Sequence, residues 1–552
     1  MNKIGKSFLK QEPVLLKFGT SGLRAPVADL TDLECYINIR GFIDYLKNIS
    51  PEDGGIKEGA EIFLAGDFRP STPRITKAIA RAAKDSGCIV KNCGNMSSSA
   101  VAYCGMRNNC ASIMVTGSHV PEDRNGIKPN KTRGEVLKAD EAAMGQYVAK
   151  AREMIYETLG TPNCLFNENA MFVADVVLPE ADNSQIEFYI KRYAEIFPAN
   201  CLQGKKIVIY QHSSVGRDAV TEIFKRLGAE IVVEGRTDKF VSIDTEAIKE
   251  KDLELMKEWA EKHKPFALIS FDGDCDRPWL SNEYGEFLPG DLLGGLTILY
   301  LGADFGAVPI TCNDAVDKIL NSKARLVKTK IGSPYVIKSM MDAEKKGFKK
   351  IAGWEVNGGF MTYSDFEIFG KKFTALPTRD SVLPLLCVLL SAIEKNKKLS
   401  EIMNGLPKRY TNSDKIKEFP NEIADMIVKK YSPADSRIDK LEFRPEETRI
   451  VYKDETAETM KKDSSLWNEW MEKKKSLEEK YLIPNSIGRV ASFVYTDGLR
   501  MLTENGEVVH LRESSNAPEM RCYAVADSKV RAEEIVRIAL TKIVPELKTD
   551  LA

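Results

Sequence analysis

The feature that most constrains the fold is a short apolar run that ends abruptly in a polar turn and recurs along the chain. Residues 61–65 precede Gly66-Asp67 in this way, and residues 111–115 precede the sequence TGSH. Runs of this length, bounded by turn signals, predict buried strands. Strands separated by helix-like segments are typical of α/β architecture, in which ligands bind at the loops that leave the carboxyl ends of the strands. The pattern returns at 206–210, 265–271 and 308–311, with helical segments such as 218–227 between.

Length and charge exclude several classes of protein. A chain of 552 residues is too long for a single small binding module and suits about three or four domains. Its 43% hydrophobic and 29% charged residues are those of a folded protein rather than a disordered one. Lysine and arginine total 79 against 80 aspartate and glutamate, so the chain has no basic field for a nucleic acid or an acidic membrane.

Eleven cysteines and four histidines narrow the chemistry further. The cysteines show no paired CxxC spacing, which predicts reduced thiols in a cytosolic compartment. The histidines lack metal-ligand spacing from one another or from a cysteine, so we do not expect a structural zinc site. The start of the chain has no apolar run of signal-peptide length, and no later run is long enough to span a membrane. We therefore expect a cytoplasmic protein without a membrane partner.

The strand pattern predicts a four-domain architecture around a central cleft. Three similar α/β domains with mixed sheets are expected to precede a smaller α+β C-terminal domain. Turn-rich or charged stretches at 178–184, 302–309 and 405–420 suit the joins between them. The predicted domains are residues 1–183, 184–304, 305–411 and 412–552.

Residues 455–480 are highly charged, and their few large apolar side chains lie near helical spacing. This pattern predicts a solvated amphipathic helix inserted in the last domain. A partner-binding surface is the alternative. The apolar positions are Leu466, Trp467, Trp470 and Leu477.

The most specific motif is DGDCDR at residues 272–277. Alternate residues of an extended segment point to one side, so Asp272, Asp274 and Asp276 can converge. Three carboxylates supply only oxygen ligands, which suits Mg²⁺, and the ion would keep positions for water or a phosphate oxygen. The alternative interpretation is an exposed acidic turn that binds no metal. A calcium-binding EF-hand is excluded, because Arg277 occupies the sixth position of the loop, where the sharp turn needs glycine.

Other polar loops carry weaker signals. Ser118 on a tight turn beside His119 could be a nucleophile or a phosphate carrier. Lys128, which follows an Asn-Gly turn, could be a proton donor or phosphate contact, or an ordinary surface lysine. Glu355 and Asn357, in the turn GWEVNGG, could bind vicinal hydroxyls of a sugar or belong to a structural turn. RESSNAP at 512–518 suits a phosphate dianion or a plain hairpin loop, and FGTSGLR at 18–24 is uninformative alone.

Taken together and in order, these segments resemble the α-D-phosphohexomutase family, which includes phosphomannomutases and phosphoglucomutases. Family members look like FGTSGLR, then T-A-S-H-N-P with N-G-x-K, D-G-D-x-D-R, G-E-x-S-G-H and R-P-S-x-T-E-P. This chain reads FGTSGLR, TGSHVP with NGIK, DGDCDR, WEVNGG and RESSNAP. The resemblance spans nearly the whole chain.

The resemblance implies a role for each motif. Ser118 would carry a phosphoryl group, and Asp272, Asp274 and Asp276 would hold Mg²⁺ together with that phosphate. Phosphoryl transfer would pass through a hexose bisphosphate, which also serves as activator, and the protein would be a monomer or homodimer. The remaining implied roles are Arg277 beside the reacting group; Lys128, His119 and Arg24 for positive charge and proton transfer; Glu355 and Asn357 for sugar hydroxyls; and Arg512, Ser514, Ser515 and Asn516 for phosphate.

Departures from the family pattern leave the substrate open. Val120 replaces an asparagine, Asn516-Ala517 replaces a Thr-Glu pair, and Asn357 and Gly359 replace a serine and a histidine. We favour a mutase acting on mannose phosphates, with glucose phosphates or glucosamine phosphates as alternatives. The same nucleophile and metal could support a phosphatase, and the altered loops would suit a non-catalytic binder of sugar phosphates.

Overall fold

The computed structural model describes residues 8–19, 21–514 and 518–551, which form two compact units. The first contains residues up to 308 together with 320–327 and 332–405, and the second contains 309–319, 328–331 and the residues from 406 onward. The first unit holds three mixed sheets, and the second is built on one antiparallel sheet. The prediction of three α/β domains followed by a different C-terminal domain is therefore confirmed.

The first sheet combines a parallel centre with an antiparallel edge. Its strands are β1 Leu23–Pro26, β2 Glu61–Gly66, β3 Ile89–Asn95, β4 Ala111–Val115, β5 Arg124–Lys131 and β6 Gly134–Glu135. They lie in the order β1-β5-β4-β2-β3, with β6 paired to β5. β2 is parallel to β3 and β4, whereas β5 is antiparallel to β4 and β1. All five residues of β4 are buried, as expected for a central strand covered by helices.

The second sheet repeats this plan. Its strands are β7 Lys206–Tyr210, β8 Glu230–Glu234, β9 Ala267–Phe271, β10 Pro278–Ser281 and β11 Phe287–Leu288. They lie in the order β11-β10-β9-β7-β8. β7 is parallel to β8 and β9, and β10 is antiparallel to β9 and β11.

The third sheet has the order β13-β12-β14-β15-β18, with a separate hairpin formed by β16 and β17. β12 is parallel to β14, and β15 is antiparallel to β14 and β18. The strand expected at 308–311 lies earlier, at 305–309, so the predicted join at 302–309 is largely a strand. The strands are β12 Phe305–Pro309, β13 Arg325–Thr329, β14 Ile351–Trp354, β15 Phe360–Thr362, β16 Phe366–Ile368, β17 Lys371–Phe373 and β18 Leu376–Asp380.

The three sheets place one loop in an equivalent position. In each sheet, a buried strand of the parallel part (β4, β9 or β14) turns directly into its antiparallel neighbour (β5, β10 or β15). These loops contain Ser118, the Asp272–Asp276 motif and Glu355, respectively. The recurrent apolar run before a polar turn thus corresponds to the same strand and loop in each of the three sheets.

The second unit contains an eight-stranded antiparallel sheet in the order β19-β26-β25-β24-β23-β20-β21-β22. The predicted linker at 405–420 is wrong over 410–417, which forms β19 and pairs with β26 along its whole length. The charged insertion also differs from expectation, because 457–460 forms β22 before the helix begins. The strands are β19 Tyr410–Lys417, β20 Ile438–Phe443, β21 Thr448–Tyr452, β22 Ala457–Met460, β23 Val490–Val494, β24 Leu499–Thr503, β25 Val508–Glu513 and β26 Glu519–Ala526.

Helices cover the sheets, and the predicted amphipathic helix in the last domain is Ser465–Leu477. Trp470 and Leu477 are buried in the core of the second unit, whereas Leu466 is exposed. The described α-helices of the first unit are Asp32–Lys47, Thr72–Asp85, Ser98–Arg107, Lys138–Thr158, Gln185–Ala194, Arg217–Arg226, Glu250–His263, Gly290–Leu301, Ser333–Lys345, Val382–Glu394 and Leu399–Asn404. Those of the second are Ala315–Leu320, Asn421–Lys430, Ser465–Leu477, Lys529–Ile538 and Val544–Thr549, with π-helical turns at Glu478–Leu482 and Ala539–Ile543.

Candidate active site

Ser118 lies on the tight turn after β4 and faces the loop after β9. Its φ of +57° is in the left-handed region, which a non-glycine residue adopts at some energetic cost. The turn is held because the Ser118 backbone N–H donates to Thr116 Oγ1 at 2.7 Å. The Ser118 hydroxyl is fully buried and donates to Asp272 Oδ2 at 2.6 Å. The first and second sheets are therefore joined at the candidate nucleophile.

Arg69 holds the loop that carries Ser118, and the sequence patterns did not reveal it. The side chain is 1% exposed, pairs with Asp67 at 3.2 Å and stacks on the ring of Phe240 at 4.0 Å. Gly117 is needed beside it, because a Cβ there would lie 2.6 Å from the Arg69 guanidinium carbon. The Arg69 guanidinium donates to the carbonyl oxygens of Ser118, Val120, Pro121 and Arg124 at 2.6–3.0 Å.

The three aspartates converge through a tight turn rather than through the alternation of an extended strand. Phe271 and Pro278 are paired across the β9–β10 hairpin, and the motif forms the loop between them. Asp272 Oδ1 closes this loop by accepting from the backbone N–H groups of Asp276 and Arg277 at 3.1 and 3.3 Å. The expected convergence is thus present, but its predicted backbone geometry is wrong.

Lys128 provides the nearest positive charge to these carboxylates. It lies on β5, and its Nζ donates to Asp274 Oδ2 and, at 2.8 Å, to Asp276 Oδ2. Burial, followed by repulsion from Asp274 and Asp276, raises the pKa of Asp272 well above its usual value. Burial also disfavours ionised Asp274, but Lys128 outweighs that effect and lowers the pKa of Asp274. Lys128 alone therefore balances only part of the negative charge of the three carboxylates.

The aspartate cluster fits a divalent cation. One carboxylate oxygen from each of Asp272, Asp274 and Asp276 lies within 4.8 Å of the others, and all three residues are buried. Asp274 Oδ1 and Asp276 Oδ1 have no hydrogen-bond partner within the described part of the chain. Buried carboxylate oxygens without donors are costly, and a hard cation with oxygen ligands is the group that satisfies them. The cluster is therefore an acidic triad whose geometry suits a divalent cation.

A cationic side of the site is formed by Arg277 and Arg24. Arg277 Nε lies 3.8 Å from Asp272 Oδ2 and 3.9 Å from Asp276 Oδ1. Arg24 lies on β1, and burial followed by the charge of Arg277 lowers its pKa to about 10, so it remains charged at neutral pH. Both residues therefore bring permanent positive charge to the triad.

His119 adds a neutral imidazole to the site. Its Nδ1 lies 3.4 Å from Ser118 Oγ. Burial, followed by the positive charges of Arg277 and Arg24, lowers the pKa of His119, so the ring is uncharged at neutral pH. His119 therefore adds no positive charge to the site at neutral pH.

The loop after β14 brings Glu355 and Asn357 to the same region. Both are buried, and Asn357 Oδ1 accepts from the Gly359 N–H at 3.0 Å, which closes the turn. Arg379 links this loop to the metal cluster, because it contacts Glu355 at 2.8 Å and Asp276 at 3.0 Å. All three equivalent loops therefore meet within the first unit.

Several contacts to this site come from residues that the motifs did not include. Ser98 Oγ, at the start of a helix capped by Ser97, donates to Asp274 Oδ2 at 2.5 Å. Glu246 accepts from the Asn357 amide at 2.8 Å, and Thr245 donates to the Asn357 carbonyl at 3.0 Å. Arg379 lies within β18, and its contact with Asp276 depends on a partner 103 residues away in the sequence.

The predicted phosphate-binding residues belong to the second unit. Arg512 lies on β25, and its Nε donates to Asp497 Oδ2 at 2.9 Å. Ser514 is buried, and its backbone N–H donates to the Glu519 carbonyl at 3.1 Å. Ser515 and Asn516 lie outside the described residues.

Comparison with known proteins gives three consecutive family matches. Residues 15–153 match "Phosphoglucomutase/phosphomannomutase, alpha/beta/alpha domain I", and residues 187–285 match domain II of the same description. Residues 290–410 match its domain III. These matches cover the three mixed sheets and the loops that carry the candidate site.

Two relatives named phosphomannomutase align with nearly the whole chain. One from Sinorhizobium fredii is 34% identical, with 94% of this chain and 97% of the relative covered. One from Salmonella muenchen is 35% identical, with 96% of each chain covered. A relative named phosphoglucosamine mutase, from Dictyoglomus turgidum, is 26% identical over 70% of this chain and 81% of its own.

Solved structures show the same fold at lower identity. A phosphoglucomutase/phosphomannomutase family protein from Burkholderia thailandensis is 16% identical with a TM-score of 0.64, covering 96% of this chain and 97% of its own. A Paramecium phosphoglucomutase in an open form is also 16% identical, with a TM-score of 0.62 and coverage of 98% and 96%. Across the described residues, none of the helices combines the length and apolar character needed to cross a membrane.

Proposed function

The chain belongs to the phosphoglucomutase/phosphomannomutase family and is an intramolecular phosphotransferase, and we propose that it interconverts mannose 1-phosphate and mannose 6-phosphate. The observation that carries this proposal is the buried hydrogen bond from Ser118 Oγ to Asp272 Oδ2. It joins a hydroxyl nucleophile to an acidic triad that fits a divalent cation. The two relatives named phosphomannomutase support the choice of mannose over glucose or glucosamine.

Asp272, Asp274 and Asp276 would hold Mg²⁺, with an oxygen of phosphorylated Ser118 as a further ligand. This set fits because all its donors are oxygen atoms and two of them have no partner in the described part of the chain. When bound, the ion supplies positive charge to the transferring phosphoryl group. Lys128, Arg24 and Arg277 add fixed charges that need no rearrangement during the reaction.

In the proposed cycle, a hydroxyl oxygen of the hexose monophosphate bonds to phosphorus as the bond from phosphorus to Ser118 Oγ breaks. The sugar hydroxyl loses its proton, and Ser118 Oγ gains one. The resulting hexose bisphosphate turns over and returns its other phosphoryl group to Ser118. We propose that His119 exchanges that proton, because its Nδ1 lies 3.4 Å from Ser118 Oγ.

One site must bind the sugar in two orientations. We propose that Glu355 and Asn357 bind hydroxyls that both orientations share, because each offers polar atoms on a loop fixed at both ends. Arg512 and Ser514, together with Ser515 and Asn516, would bind the phosphate that does not react. A guanidinium with hydroxyls and an amide matches a phosphate dianion.

A coupled assay with mannose 1-phosphate or glucose 1-phosphate, Mg²⁺ and trace hexose bisphosphate tests the function. Isomerisation that disappears in Ser118→Ala supports the mutase and ranks the sugars. Release of inorganic phosphate without isomerisation would instead show a phosphatase. Binding of hexose phosphate with neither product would show a non-catalytic protein.

We also propose that the reaction takes place in the cytoplasm. Each of the eleven cysteines is a free thiol, and eight of them are buried. Unpaired cysteines in this number are typical of a reducing compartment.

A further inference from the structure

Arg379 joins the metal cluster to the candidate sugar loop. Its side chain is 4% exposed, and both Nε and Nη2 lie 3.0 Å from Asp276 Oδ2. On its other side, Nη1 donates to Glu355 Oε2 at 2.8 Å and to Ser21 Oγ at 3.4 Å. Arg379 also lines a cavity together with Ser21, Lys128 and Asp276. One planar guanidinium thus spans two loops beside a small cavity.

Gly359 is the residue that makes room for Arg379. A Cβ at this position would lie 2.6 Å from Arg379 Cδ and 2.7 Å from Arg379 Cγ, closer than such atoms can approach. The stem cannot move aside cheaply, because the guanidinium is tied at its far end to Asp276 and Glu355. The φ of Gly359 is outside the left-handed region, so the backbone does not itself demand glycine.

This packing explains a departure from the family pattern. Where the resemblance implies a histidine at the end of the sugar loop, this chain has Gly359. Any side chain there would occupy the position of the Arg379 stem. The glycine and the arginine therefore form a matched pair, although they are separated by the hairpin of β16 and β17.

We propose that Arg379 is a positioning residue that fixes Glu355 relative to Asp276, and that Gly359 serves to admit it. Holding the sugar loop at a set distance from the metal ligands would align the hydroxyl groups of the substrate with the phosphoryl group, and small misplacements at such sites are costly. A lysine would not substitute fully, because its single ammonium lacks the fork that reaches both carboxylates. This inference rests on the proposed function for the identity of the ligand.

The test measures two kinds of binding that need no turnover, in a Ser118→Ala background. Calorimetry gives the Kd of mannose 1-phosphate, and electron paramagnetic resonance gives the Kd of Mn²⁺. We expect Arg379→Ala to weaken mannose 1-phosphate binding by roughly 10- to 100-fold, because the sugar loop would no longer be held in place. Mn²⁺ binding should be kept or tightened, because the three aspartates remain and a competing cation has gone. Arg379→Lys should recover part of the lost affinity for the sugar phosphate.

Gly359→Ala provides the second arm. Its added methyl group should displace Arg379 and weaken mannose 1-phosphate binding to a similar degree. In Gly359→Ala/Arg379→Ala the added methyl group no longer clashes with the Arg379 side chain. The Kd of mannose 1-phosphate for the double variant should therefore match that of Arg379→Ala within about twofold. If the increase in Kd of the double variant instead equals the product of the increases in the two single variants, the two residues act independently and the proposal is overturned.

Matched controls separate positioning from damage to the fold. Gly145→Ala adds the same methyl group at an exposed helix position with nothing within 4 Å. Arg152→Ala removes another buried arginine, one that pairs with Glu34 away from the candidate site. Neither should change the Kd of mannose 1-phosphate. Loss of Mn²⁺ and sugar phosphate binding together in Arg379→Ala would show a structural role and refute positioning.

The same experiment distinguishes this inference from the proposed function. In the wild-type enzyme, Arg379→Lys should raise KM and lower kcat, with kcat/KM between those of wild type and Arg379→Ala. If wild type binds mannose 1-phosphate without isomerising it, the mutase assignment fails while the coupling of Gly359 and Arg379 can still be measured. If wild type isomerises the sugar and the coupling is absent, only the positioning role fails.

Discussion

Replacing Arg69 by methionine tests whether this side chain both stabilises the fold and holds the Ser118 loop in a reactive position. Methionine fills much of the same space but has no donors, so four backbone carbonyls each lose a donor and the Asp67 carboxylate loses its charged partner. Removing one member of a buried ion pair costs about 3–5 kcal/mol. We expect the free energy of unfolding of the first unit to fall by that amount in urea denaturation.

The effect on catalysis should exceed what instability alone produces. The four carbonyls belong to residues 118–124, so the loop that presents Ser118 loses its anchor while Asp272 stays in place. Under conditions where the variant remains folded, we expect kcat to fall by roughly 10-fold or more, since a misplaced nucleophile loses alignment. The coupled mannose 1-phosphate assay measures this directly.

Two companion variants test the reasoning. Asp67→Asn combined with Arg69→Met removes the uncompensated charge, so it should regain part of the stability and none of the kcat. Arg152→Met breaks a comparable buried pair with Glu34 and should lose stability with kcat unchanged. Wild-type kcat in Arg69→Met, or an equal loss of kcat in Arg152→Met, would show that Arg69 does not position the Ser118 loop.

Three further outcomes are expected. Burial lowers the pKa of His510 from 6.5 to about 4, so the unfolded chain takes up a proton first as the pH falls. Between pH 7 and pH 5, denaturant titrations should therefore show the free energy of unfolding of wild type falling by about 2 kcal/mol more than that of His510→Gln. Lys128→Met removes a cation from Asp274 and Asp276, so calorimetry should show Mg²⁺ binding at least as tightly as in wild type while kcat drops sharply. Mg²⁺ at a hundredfold excess over Kd should stabilise wild type by about 2.7 kcal/mol in thermal melts, and this gain should shrink in Asp274→Asn.

The strand-and-turn pattern predicted the architecture because it reflects burial, which sequence records directly. Runs such as 111–115 and 206–210 are strands at the predicted positions, and the polar turn after 111–115 carries Ser118. The backbone of the DGDCDR loop was not predictable from alternation, because Cys275 adopts a φ of +58° and the chain turns instead of extending. The predicted clustering of the aspartates is nevertheless present, because a tight turn also brings neighbouring side chains together.

The residues missed by the sequence analysis are those whose role depends on distant partners. Arg379 lies 103 residues from Asp276, and Arg69 lies 49 residues from Ser118. No local pattern distinguishes such an arginine from one at the surface. The same reason explains β19, which is mostly polar over 410–417 and is fixed as a strand by its pairing with β26.

A labelling experiment tests phosphoryl transfer to and from Ser118 most directly. The protein is incubated with ³²P-labelled hexose bisphosphate and Mg²⁺, digested and mapped, then chased with unlabelled mannose 1-phosphate. We predict label on the peptide that contains Ser118, with the chase moving it into sugar phosphate. Label on another residue, no label, or release of the label only as inorganic phosphate would contradict the phosphoserine mutase.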